Sequence, residues 1–96
     1  MLTHVVLYKL KENTAEIRKK MTENFYSMQG KIPALLSVKA GSDILGAERS
    51  FDIALVCQFA NIDKLKEYQT HPVHLPVKQY VASVVERSHS VDFVTE

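Results

Sequence analysis

Residues 2–10, Leu-Thr-His-Val-Val-Leu-Tyr-Lys-Leu, are rich in β-branched and aromatic side chains and read as a strand. One face carries Leu2, His4, Val6, Tyr8 and Leu10, and the other Thr3, Val5, Leu7 and Lys9, so both faces are largely apolar. The period then changes. Ile17, Met21, Phe25 and Met28 follow one another at helical spacing and predict an amphipathic helix over about residues 14–29. Asn13 is the expected N-cap, with Glu16 completing a capping-box variant, while Gly30 and Pro33 close the helix. Leu35 to Ala40 predicts a short second strand, followed by a connection over Gly41 to Gly46. Residues 50–59 form the strongest strand. Ile53, Leu55, Cys57 and Phe59 share one face, and Ala54 and Val56 the other, as in a strand at mid-sheet covered on both sides. Asn61 caps a second helix through Ile62, Leu65 and Tyr68, and Pro72 interrupts it. Val73, Val77, Tyr80, Val81 and Val84 resume the helical period, with Pro76 tolerable only in a first turn. Ser88 to Val94 closes the pattern as a last strand.

The order strand, helix, strand, strand, helix, strand predicts an α+β, ferredoxin-like antiparallel sheet with its helices on one face, in a single domain over 1–96. Strands one and three are nevertheless apolar on both faces. One face would then expose a patch larger than monomers usually tolerate. A second copy on a two-fold axis is the commonest cover, so the expected assembly is a homodimer whose sheets face each other in a barrel, helices outside.

Composition narrows the function without naming it. The chain has 96 residues, 46% hydrophobic and 24% charged, with formal net charge +1. A domain of this size buries roughly 60–70% of its extended surface, so a partner adds usefully to stability. No basic stripe argues for nucleic acid, and Arg18-Lys19-Lys20 reads as a solvated helix face. No apolar run approaches a membrane span, and Met1-Leu2-Thr3-His4 opens no signal peptide. A cytoplasmic setting is the default. The lone Cys57 excludes an internal disulfide and reads as a small buried hydrophobe rather than a nucleophile.

Candidate chemistry concentrates in Tyr68-Gln69-Thr70-His71-Pro72-Val73-His74. His74 titrates near neutrality and suits a general base, or it helps cap the broken helix. His71 can bond carbonyls freed by the proline break. Tyr68 packs with one hydrogen-bond partner, or its hydroxyl polarises a carbonyl oxygen. His4, on an apolar strand face, is a satisfied core histidine or a pocket wall. The candidate ligand-binding set is His4, Val6, Tyr8, Phe25, Leu55, Cys57 and His71, with Tyr68 and His74 as the candidates for acid/base work. No metal is assigned, because His71-x-x-His74 lacks the i, i+4 spacing of a helical zinc pair and Pro72 disrupts its geometry. No cofactor is expected.

His4-Val5-Val6-Leu7-Tyr8-Lys9-Leu10, the Ile32-Pro33-Ala34-Leu35 turn and Tyr68-x-x-His71-Pro72-x-His74 together resemble the stress-responsive A/B barrel (dimeric α+β barrel, Dabb) family, in order and over almost the whole chain. The resemblance implies a dimeric barrel and a functionally mixed set of relatives, some of them stress-associated. More distantly the chain is similar to olivetolic acid cyclase, a polyketide-cyclising member. That likeness implies Tyr68 and His74 as an acid/base pair, with His71 and His4 matching other histidines of the region. Where the cyclase has a further histidine on its third strand, this chain has Ile53. The expected function is binding of a small, mainly apolar molecule in a sheet-lined cavity, with cofactor-free proton transfer on a carbonyl compound. The alternatives are a non-catalytic stress-associated binding dimer and a cofactor-independent monooxygenase.

Overall fold

In the computed structural model, which describes residues 1–95, the elements are β1 (Leu2–Leu10), α1 (Ala15–Ser27), β2 (Ser37–Ser42), β3 (Ile53–Phe59), α2 (Ile62–Thr70), α3 (His74–Val84) and β4 (Val85–Val94). Glu96, the last residue of the expected domain, lies outside the described residues. The strands pair antiparallel in the order β2-β3-β1-β4, which puts the two doubly apolar strands in the middle. This is the ferredoxin-like sheet that the order of elements predicts. Pro72 divides the second helical region into α2 and α3, so three helices are present among the described residues.

Thr14, not Asn13, caps α1: its side chain accepts from the Ile17 N–H at 3.2 Å. Asn13 is committed elsewhere. Its Oδ1 accepts from the Arg18 guanidinium at 2.7 Å, and its Nδ2 donates to Asp52 at 3.1 Å. With the cap moved by one residue, Glu16 no longer stands at the capping-box position. Met21, Phe25 and Met28 point inward as their spacing predicts, and Gly30 closes the helix with φ 79°. Asn61 caps α2 through the Lys64 N–H.

Strand limits depart from the pattern at three places. β2 starts at Ser37 because Leu35 turns inward and bonds back to the Ile32 carbonyl. It then runs through Gly41 and Ser42, which pair with Ala54 and Ile53. Main-chain pairing alone carries these last residues, and hydropathy cannot report it. β3 starts at Ile53 because Asp52 turns its carboxylate to the Leu10 N–H at 2.8 Å. β4 follows α3 without a loop and so begins at Val85 rather than Ser88.

The covered face carries the core. Met21, Phe25 and Met28 of the α1 region pack with Ile53, Leu55, Cys57 and Phe59 of β3 and with Leu2, Val6, Tyr8 and Leu10 of β1. Among the described residues no helix lies on the opposite face. Val5 and Leu7 lie there beside Val56 and Ala54 on β3 and Val91 and His89 on β4. Leu7 is 37%, Val91 56% and Phe93 44% exposed.

Candidate functional site

Pro72 sets the geometry of the site. It ends α2 at Thr70 and lets α3 restart at His74, where the His74 and Leu75 N–H groups both donate to the His71 carbonyl. The change of direction folds the His74 ring onto Tyr68, with centroids 4.2 Å apart and planes at 31°. These rings border a cavity of about 480 Å³, an ordinary size for a small-molecule pocket. Its sheet wall is His4 and Tyr8 of β1 with Leu55 of β3. Its helix wall is Phe25 of α1, Tyr68, Gln69 and Thr70 of α2, and Val77, Lys78 and Val81 of α3.

The His74 Nδ1–H donates to the Gln69 carbonyl at 3.2 Å. That bond selects the Nδ1–H tautomer and leaves Nε2 with a lone pair. Burial holds the His74 pKa below 6.5; the Gln69 bond opposes this, and the charges of Lys78, His4 and His71 add to it. His74 is therefore a neutral acceptor at pH 7.

Tyr68 is 2% exposed, and its ring leans on Phe59 at 5.1 Å. Burial, chiefly, pushes its hydroxyl well above the ordinary 10, helped by the neighbouring Cys57 and Tyr8. The Tyr8 hydroxyl is raised by burial in the same way. Two phenols that hold their protons thus border one pocket, as hydrogen-bond donors rather than bases. Burial lifts the Cys57 thiol to about 12, against an opposing hydrogen bond with Tyr68, so it stays protonated.

His4 reaches its place through strand pairing. It lies opposite Asp92 in the β1·β4 register, and its Nδ1 is 2.5 Å from the Asp92 carboxylate. A carboxylate on Nδ1 fixes the ring orientation.

Of the residues singled out from sequence, His4, Tyr8, Phe25, Leu55, Tyr68 and His74 line this one cavity. Val6 and Cys57 are buried in the sheet beneath it. His71 does not line it. Its Nδ1 accepts from the Val73 N–H at 3.1 Å, so it serves the start of α3 and not the freed carbonyls at the end of α2. The cavity itself lies between sheet and helices within one chain, whereas the two-faced strands predict one in a barrel between two sheets. Gln69, Lys78 and Asp92 do not stand out in the sequence. Gln69 acts through its main chain, and Lys78 has the pattern of any solvated helix lysine. Asp92 emerges only by pairing the first strand against the last, where residues 4 and 92 face each other. Among the described residues no cluster of His, Cys, Asp and Glu could hold a metal, and no helix is long and apolar enough to cross a membrane.

Residues 2–95 match the family model of the stress responsive A/B barrel domain, and the chain belongs to that family. No curated protein matches it. Among solved structures it is similar to a dimeric protein of unknown function with a ferredoxin-like fold from Bacteroides fragilis, with 27% identity, TM-score 0.87, and coverage of 98% of this chain and 95% of that one. A dimeric ferredoxin-like protein of unknown function from Thermobifida fusca is 22% identical, with TM-score 0.88 and coverage of 98% and 90%. The hydroxynitrile lyase of Passiflora edulis shares the fold at 15% identity, with TM-score 0.83 and coverage of 99% and 93%.

Proposed function

We propose that this A/B barrel domain, residues 1–96, forms a homodimer through its open sheet face. In each subunit the helix-side pocket takes a small, mainly apolar molecule and performs cofactor-free proton transfer on a carbonyl compound. His74 is the general base, and Tyr68 donates to the carbonyl oxygen. The observation that carries this reading is the Gln69 bond to Nδ1, which leaves a neutral Nε2 beside a protonated phenol in one pocket.

The chemistry balances without a cofactor. Nε2 accepts a proton from the carbon next to the carbonyl while the electron pair of that C–H bond moves into the enolate. The Tyr68 hydroxyl donates a hydrogen bond to the oxygen as its charge grows, in a site where burial strengthens the interaction. The imidazolium then returns its proton to carbon or to oxygen. His4, oriented by Asp92, lines the same pocket. The dimers from Bacteroides fragilis and Thermobifida fusca support the assembly, and the Passiflora edulis lyase supports chemistry on this fold by analogy alone. A buried free thiol is at home in a reducing compartment, and we place the protein in the cytoplasm.

Deuterium uptake next to the carbonyl of 2-octanone tests the base. Wild type accelerates exchange, and His74→Ala loses about 10²–10⁴-fold of that acceleration while keeping fold and dimer. A variant that exchanges like wild type removes His74 from the chemistry. Binding of 2-octanone without any acceleration makes the protein a non-catalytic binder, the reading favoured by the packing of Tyr68 on Phe59.

A further inference from the structure

We propose that the natural ligand of this pocket is an amphiphilic anion: an apolar chain or ring that lies against Phe25, Leu55 and Val77 and ends in a carboxylate seated at Lys78. The proposal deepens the pocket reading above and rests on it.

The lining is graded from floor to mouth. Phe25 and Leu55 are 2% exposed and Val77 6%, whereas Lys78 and Gln69 are exposed at the rim. Among the described residues the lining holds Lys78 and two histidines but neither Asp nor Glu. Asp92, the carboxylate that approaches this wall, is tied to His4. The Lys78 ammonium has no ion-pair partner among the described residues. It lines the same cavity as Tyr68 and His74, so its charge stands at the mouth of the site that holds them.

Each ligand class meets this arrangement differently. A neutral hydrophobe fills the floor and gains nothing at the mouth. A cation meets Lys78 and two imidazoles with no carboxylate to receive it. An apolar acid gains on both sides: its chain leaves water, and its carboxylate finds an ammonium and the Gln69 amide. The pair at the rim is partly solvated, so the gain is modest, but it has one sign. It also sets direction, with the apolar end inward past Tyr68 and His74.

Octanoate, 1-octanol and octylammonium share a chain and differ in head group. Their affinities are read by calorimetry, with the His74 ring resonances as reporter of the site. Octanoate binds at least about fivefold more tightly than 1-octanol, and octylammonium binds weakest. Lys78→Ala lowers octanoate affinity by about fivefold to tenfold and leaves 1-octanol unchanged; Lys78→Glu reverses the order in favour of octylammonium. Equal affinity for octanoate and 1-octanol, indifferent to Lys78→Ala, overturns the anionic ligand and leaves the pocket reading standing. If none of the three binds or shifts His74, the pocket reading falls together with the proposal.

Discussion

Single residues here take their roles from one or two neighbouring atoms. A main-chain oxygen at Gln69 occupies the His74 Nδ1 and burial keeps the ring neutral, as the proposed base requires. Its folded pKa lies below 6.5, and only the neutral ring accepts a proton. Exchange activity therefore falls as pH drops, with a midpoint below 6.5. The raised hydroxyls of Tyr8 and Tyr68 add no loss of activity on the basic side up to pH 10. A pH profile of exchange kinetics with 2-octanone checks both limbs; an acid midpoint at or above 6.5 speaks against a desolvated base. Tyr68→Phe keeps the ring on Phe59 and removes only the donor. It should lower the exchange rate by about 10²–10³-fold and leave the melting temperature nearly unchanged. A large loss of stability would instead assign the hydroxyl to the core.

Elements owe their limits to caps and to one buried carboxylate. Thr14→Ala removes the bond to the Ile17 N–H and should cost about 1 kcal/mol in urea denaturation. Asp52→Ala leaves the Leu10 N–H without its acceptor inside the fold and should cost about 1–3 kcal/mol by the same measurement. Much of this level is legible in the chain. The spacing of Met21, Phe25 and Met28 marks the buried stripe, Asn61 marks a helix start, and Pro72 marks the break that makes the pocket. Other features are not legible, for reasons that differ. Asn13 and Thr14 are both good caps, and the choice depends on Asp52 and Arg18, which compete for Asn13 through tertiary contacts. The extension of β2 through Gly41 and Ser42 is main-chain pairing, which leaves no trace in side-chain pattern. The His4–Asp92 pair depends on register between the two ends of the chain. The site is accordingly half readable: the rings stand out by type, while the atoms that orient them do not.

The sheet has two apolar faces and, among the described residues, helices for only one. The helices shelter the core and leave the pocket beside it, within a single chain. The open face, with Val5, Leu7, Val56, Val91 and Phe93, is the one proposed to take a second copy. A charge on that face should separate the subunits without closing the pocket. Leu7→Glu sets like charges into a two-fold contact, and its dimer should dissociate at concentrations higher by at least about two orders of magnitude, with 2-octanone binding retained. The most direct test is sedimentation equilibrium of the wild-type chain at micromolar concentration. Twice the mass of one 10.9 kDa chain is the expected result. A stable species of single-chain mass, with Leu7 and Val91 left in water, would contradict the account.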